Sequence, residues 1–229
     1  MLDNPRSPDD HRVRTAAVRR QKTYRQLLET AVSLLLSVKG DPPSIEDLIR
    51  AAGVSRGTFY NYFSTTTEVV DAIVGVLSDD IVKGVDPMLR TLENSAERIS
   101  IGARLYLSIC AHHPHVGHFI ALASPKNGAM GKLAERYLIR DLSSGQAQGL
   151  FNFKNLVAAM DLLIGTSAQS MDSLVSGHTT FEGAVASLEM ALIGLGVSAP
   201  EAARLCTMQL PELVAMEGSL LEYLIRTRR

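Results

Sequence analysis

The 229-residue chain has no tryptophan, two cysteines, six phenylalanines and six tyrosines. Cys110 and Cys206 lie far apart and no CxxC pair occurs, so a disulfide framework is not expected and a reducing compartment suits the chain. There is no glycine-rich phosphate loop of the Walker or Rossmann kind, no GxSxG and no grouping of carboxylates. An enzyme is therefore not expected, and no catalytic residue, cofactor or metal is assigned. The longest apolar run, roughly 156–168, is interrupted by Asp161 and is too short to span a bilayer. The opening MLDNPRSPDDHRVRT is polar and charged, unlike a signal peptide. A soluble, cytoplasmic protein without a membrane partner is the expectation.

What is present is an ordinary globular balance, 46% hydrophobic and 21% charged, in a chain long enough for one large domain or two modest ones. The net charge of −1 is unevenly spread. Residues 1–64 hold ten Lys/Arg against seven Asp/Glu (+3), and residues 65–229 hold thirteen against seventeen (−4). Between residues 11 and 25 there are six basic residues, Arg12, Arg14, Arg19, Arg20, Lys22 and Arg25, and no acid. Such a run is either a solvated charged tail or an arm that neutralises phosphates.

Helical periodicity dominates, without strand alternation or hairpin signals, and the fold class is all-α with about nine to ten helices. Leu27, Leu28, Ala31, Leu34, Leu35 and Val38 form one stripe, closed by Gly40 and Pro42-Pro43. Ser44 and the acids Glu46 and Asp47 open a short helix ending at Ala52, with Gly53 as the turn. Ser55 caps a third helix through Phe63. Thr65 to Glu68 reads as a capping box for a long fourth helix that bends near Pro87. Asn94 to Glu97 opens a fifth, running to about His113. Further helices are expected at about 115–123, 129–148, 153–176, 181–195 and 199–225.

The stretch AAGVSRGTFYNYF, residues 51–63, gathers Phe59, Tyr60, Tyr62 and Phe63 within five positions. Two helices of about eight residues do not persist alone. Packed on the leucine stripe, however, Ile45, Leu48, Ile49, Val54, Phe59 and Phe63 close a three-helix core. That is the helix-turn-helix arrangement, whose second helix enters a DNA major groove. Phe59 and Phe63 share the core face, while Tyr60 and Tyr62 lie off it, where a ring can pack on sugar and its hydroxyl reach phosphate. Arg56, Thr58 and Asn61 take the outward positions, and suit guanine, the thymine methyl and adenine respectively. Gly57 would admit a close backbone approach. The plainer alternative is an aromatic helix pair packed beneath a loop.

The segment from Leu27 to Val74, and SIEDLIRAAGVSRGTFYNYF above all, resembles the DNA-binding domain of the TetR family of bacterial transcriptional regulators. The specific motif covers about 45 residues, a fifth of the chain. Outside it, ICAHHPHVGHF is similar to the family's helix break ending in His-Pro, and GQAQGLF to the end of its seventh helix. The resemblance implies a basic arm over 1–22, a DNA-binding domain over 23–65 and a helical effector-binding and dimerisation domain over 66–229. It places Thr23 and Ser44 at helix starts that meet phosphate, Arg56, Gly57, Thr58 and Asn61 on the recognition face, and Tyr60 and Tyr62 on the DNA backbone, with Ser55 also among the DNA-binding residues. The family usually has Lys where this chain has Thr66, so that phosphate contact is lost or passes to a hydroxyl. The implied partners are a palindromic double-stranded operator, a second copy of the chain, and a small-molecule effector that releases a repressor.

In the second half, residues 156–175 are apolar or small nearly all round, and Val185, Leu188, Leu192 and Leu195 follow at helical spacing. Helices with two apolar faces must bury both, one in their own domain and one against a twofold partner. The alternative is a pair of central helices in a monomer. Tyr106, Cys110, Phe119, Met130, Tyr137, Met160 and Gln169 are candidate effector-lining residues, and their character points to an apolar or amphipathic organic ligand. Cys110, His112, His113, His115 and His118 offer a second reading, a metal-responsive regulator or helical metal-binding protein, although Pro114 interrupts the helix between them.

Overall fold

The structure is a computed structural model that describes residues 8–37, 43–117 and 131–227, the side chains of 8–12 excepted. Among the described residues there is no strand, and besides a helical stretch at 114–117 there are ten helices with both ends described. They are α1 (Pro8–Ser37), α2 (Ile45–Ala52), α3 (Arg56–Tyr60), α4 (Thr66–Leu89), α5 (Ser95–His112), α6 (Lys132–Ala147), α7 (Leu156–Val175), α8 (Phe181–Gly194), α9 (Ala199–Thr207) and α10 (Leu220–Arg226). The chain divides into two units, Met1–Val69 and Val70–Arg229.

The first unit is built on α1 and α2. Leu27, Leu28, Ala31 and Val32 of α1, Leu48 and Ala52 of α2, and Phe59 and Phe63 are all buried. Ile45, Ile49 and Val54, expected in this core, are half-buried at its rim. The start of α2 is closed from both sides: the Asp47 N–H donates to Ser44 Oγ at 3.2 Å, and the Ser44 N–H donates to the Asp47 carboxylate at 3.1 Å. The Ser44 hydroxyl, and then its N–H, hold the Asp47 carboxyl below its ordinary range. At the other end Gly53 takes φ +63°, a left-handed conformation that closes the tight turn. Gln26 of α1 donates from Nε2 to the Ala52 carbonyl at 3.0 Å, satisfying a helix-end acceptor that the turn leaves open.

In the second unit α5 is central, packing on α6, α7, α8 and α9. Ile99, Leu142, Phe151, Leu163, Leu188, Leu192, Leu195 and Leu205 form its main apolar cluster. Two consecutive acids of α4 serve as caps for distant helices. Asp79 Oδ1 accepts from the N–H groups of Leu133 and Ala134 at 2.9 and 3.2 Å, and Asp80 Oδ2 accepts from Leu220 at 2.8 Å. Each places a carboxylate at the positive end of a helix dipole, α6 in one case and α10 in the other.

Three expectations are corrected. The helix of the first leucine stripe begins at Pro8, not near residue 23, because residues 9–37 contain neither glycine nor proline to stop it. Thr23 is therefore a mid-helix residue and not a helix start. α3 ends at Tyr60, with Phe63 held by a turn whose N–H still reaches the Phe59 carbonyl at 3.1 Å. The helix expected over 199–225 is two helices, α9 and α10. Pro211 cannot donate, and Met208, Leu210 and Leu213 instead pack on Val85, Leu89, Ile101 and Leu105 before Gly218, at φ +71°, and Ser219 start α10. Pro87 lies inside α4, which continues to Leu89.

Candidate nucleic-acid interface

The exposed side of the first unit carries most of the residues singled out above. Ser44, Ser55, Arg56, Gly57, Tyr60 and Asn61 are exposed, and Thr23, Thr58, Tyr62 and Thr66 are half-buried. Ser55 caps α3, accepting from the Thr58 N–H at 3.1 Å, and the two hydroxyls share a hydrogen bond of 2.8 Å. The Thr58 hydroxyl is thus tied to the cap. Asn61 ends the helix, its N–H bound to the Gly57 carbonyl at 3.2 Å. Gly57 has no positive φ, and a β-carbon there would meet nothing within 4 Å. Neither backbone conformation nor internal packing requires glycine at this position.

The two tyrosines differ in placement. Tyr60 is 43% exposed, stands edge-on to Phe59, and has the Arg56 guanidinium 5.7 Å from its ring centroid. The Tyr60 side chain, ahead of Glu46, pushes the Arg56 guanidinium further above its ordinary range. Tyr62 turns inward, within 6.1 Å of Tyr24 and 6.5 Å of Phe63 between ring centroids. Its hydroxyl donates to the Arg20 carbonyl of α1. Two partners were not legible in the sequence: Glu46, whose carboxylate lies 3.5 Å from Arg56, and Arg20, whose guanidinium lies over Tyr62. Both contacts join different elements, α2 with α3 and α1 with the turn after α3, which helical periodicity does not register.

The seven effector candidates do not come together as one set. Tyr106 and Cys110 lie one turn apart on α5; Tyr106 donates to the Ser78 carbonyl at 3.0 Å, and burial pushes the Cys110 thiol up to about 12. Met160 packs against the main apolar cluster. Gln169 is on the exposed side of α7, in a shallow groove with Leu162, Thr166, Ser187 and Met190. Phe119 and Met130 lie outside the described residues.

Tyr137 of α6 sits in a polar cluster that its own stretch of sequence did not announce. Arg90 bonds both the Tyr137 hydroxyl at 3.2 Å and Asp86 Oδ2 at 2.7 Å. The Arg140 guanidinium lies 4.5 Å from the Tyr137 ring centroid and bonds both oxygens of Asp141, which also accepts from Arg98 at 2.8 Å. Asp86 Oδ1 is buried and has no hydrogen-bond partner among the described residues.

For the metal reading, His118 lies outside the described residues. His112 Nδ1 is 2.8 Å from the Ser108 carbonyl and His115 Nε2 is 3.0 Å from the Leu224 carbonyl. Among the described residues no three of His, Cys, Asp and Glu group as a metal set. No helix among them is long and apolar enough to cross a membrane.

The family described as bacterial regulatory proteins, tetR family, matches residues 27–73. Over 46 residues the chain is 41% identical to the HTH-type transcriptional regulator YwcC of Bacillus subtilis, covering 20% of this chain and 21% of that protein. Over 89 residues it is 30% identical to the HTH-type transcriptional regulator EthR of Mycolicibacterium smegmatis, covering 38% and 41%. These matches thus span well under half the length of the curated relatives. In fold, the chain is similar to RolR in complex with resorcinol, with a TM-score of 0.71 at 22% identity over 86% of this chain and 100% of that one. It is also similar to FadR of Bacillus subtilis in complex with stearoyl-CoA, with a TM-score of 0.56 at 15% identity over 75% and 98%. At such identities the likeness to these two structures speaks for the fold. Residues 27–73, which carry the helix-turn-helix, thus match the family of bacterial regulatory proteins, tetR family, and the all-helical fold is shared with these structural neighbours.

Proposed function

We propose that this protein is a cytoplasmic, sequence-specific DNA-binding repressor that grips a palindromic operator as a homodimer and is released by a small organic effector. The observation that carries the reading is the exposed surface of α3, where Arg56, Gly57 and Asn61 face outward from a packed three-helix unit. Arg and Asn side chains read purine edges from such a helix, and Thr58 offers a methyl. Ser44, Ser55, Tyr60 and Thr66 supply phosphate contacts around it. Thr23 and Tyr62 act from α1 and from the turn after α3. The domain that does this spans residues 23–65, preceded by the basic segment 1–22 and followed by the effector-binding and dimerisation domain 66–229.

Dimerisation falls to α7 and α8. One side of each is buried in the main cluster, while Val157, Leu162, Met190 and Ile193 remain exposed, at 63%, 38%, 66% and 40%. Gly165, where a β-carbon would meet nothing within 4 Å, permits close approach along the same side. A second copy covering this side would complete a four-helix interface.

The effector is amphipathic, a ring carrying hydroxyl groups. Tyr137 offers an aromatic face, the bare Asp86 Oδ1 accepts a hydroxyl proton, and Arg90 and Arg140 complete a polar rim. That the RolR structure holds resorcinol supports this class. Resorcinol is accordingly the first probe. Its binding should weaken operator affinity, and by linkage operator DNA should weaken its binding by the same factor. Independent binding of the two would leave a DNA-binding regulator without this kind of induction.

A further inference from the structure

We infer that Glu46 is the positioning residue that sets the direction of the Arg56 side chain and thereby the selectivity of the DNA-reading surface. The inference rests on the DNA-binding function proposed above. Glu46 and Asp47 are neighbours in the first turn of α2, yet they do different work. Asp47 is committed to the cap, accepting from the Ser44 N–H and hydroxyl at 3.1 and 2.6 Å, with Arg50 at 3.4 Å. Glu46 takes no part in that cap. Its carboxylate reaches across the turn to α3 and lies 3.5 Å from Arg56 Nη2.

On its other side Arg56 has the Tyr60 ring, at 5.7 Å from the guanidinium carbon to the centroid. The guanidinium thus has two neighbours, a carboxylate on α2 and an aromatic ring one turn further along α3. Both ionic side chains remain largely exposed, 70% for Arg56 and 59% for Glu46. An exposed pair of this kind adds little to stability, so its value lies in orientation. A flexible arginine offers its charge to any nearby phosphate, whereas a restrained one presents its planar fork in one direction. The carboxylate also adds a cost to misplaced binding: when the guanidinium turns to a phosphate, Glu46 is left facing a negative backbone.

The test is a double-mutant cycle of Glu46→Gln and Arg56→Ala in the full-length protein, read on the selected operator, on its single-base variants and on random duplex. Glu46→Gln should reduce the ratio of specific to random binding about two- to fivefold. The loss should concentrate at the base pair relaxed by Arg56→Ala, while binding to random duplex holds or strengthens. In the Arg56→Ala background, Glu46→Gln should leave the ratio unchanged, because there is no guanidinium left to direct. A ratio unchanged by Glu46→Gln alone, or changed equally in both backgrounds, would overturn the assignment while the DNA-reading function stands. A wild-type protein that prefers no sequence over random duplex would overturn that function, and this role of Glu46 with it.

Discussion

The Tyr62 hydroxyl donates to the backbone carbonyl of Arg20 at 3.2 Å, and the Arg20 guanidinium lies 5.9 Å from the centroid of the same ring. The basic stretch of α1 is therefore fastened to the turn that follows α3. Tyr62, expected to offer its hydroxyl to phosphate, spends it on this attachment. The charges of Arg14, Arg19, Arg20 and Lys22 are carried on a helix and not on a loose tail.

Deleting residues 1–22 removes this attachment and five of the basic residues between 11 and 25. Affinity for DNA should fall and the dependence of binding on salt should flatten, since fewer counterions are released. Helical content of the remaining chain should persist, because among the described side chains the buried residues of α1 begin at Leu27. Salt titrations of the two proteins on one duplex decide the matter. Identical slopes would make the segment a bystander.

Gly57→Ala separates stability from binding. With open space around the new methyl and no strained φ, the substitution should leave the fold as stable as before, or more stable by up to ~1 kcal/mol. Operator binding should nevertheless weaken, because the methyl stands where the DNA backbone approaches. Thermal melts and binding isotherms of the same preparation check both halves. Unimpaired binding would remove Gly57 from the interface.

Much of this was legible in the sequence, for identifiable reasons. The short helices α2 and α3 announce themselves through local chemistry: the Ser44–Asp47 cap, Gly53 at the turn and Ser55 before α3. Phe59 and Phe63 sit in the core as their four-residue spacing implies. What failed was whatever depends on contacts between distant segments. Pro211, Gly218 and the Ser219 cap are local signals of a break within 208–219, but the path of the segment is set by packing on α4 and α5. Nor does the neighbourhood of Tyr137 in sequence disclose Arg90 and Asp86, which come from α4 and the turn after it. The surroundings of Tyr137 looked apolar in sequence because their charges are supplied from elsewhere. Thr23 was misplaced for the opposite reason: the leucine stripe marks where α1 is buried and says little about where it begins.

Buried ionisable groups in the second unit set an alkaline limit. Burial raises the folded Cys110 thiol from its ordinary 9.0 to about 12, and raises the Tyr106 hydroxyl as well. Between about pH 9 and 12 an unfolded chain gives up the thiol proton while the folded one keeps it. Stability is therefore fully present below pH 9 and lost as the pH rises through that window. The loss from Cys110 should be about 1 kcal/mol at pH 10. Urea unfolding at pH 7.5 and 10 should show it, and Cys110→Ala should reduce the difference. An equal difference in both proteins would remove the thiol from the account.

The central claim is that two copies of the α3 surface read a palindrome. Selection of duplexes from a random pool by the purified full-length protein, followed by sequencing, tests it most directly. An enriched inverted repeat is expected, with half-sites centred about one DNA turn apart, roughly 34–36 Å, or a multiple of it. Asn61→Ala should relax one position in each half. A pool that emerges without enrichment, or with a single asymmetric motif untouched by substitutions at Arg56 and Asn61, would contradict it.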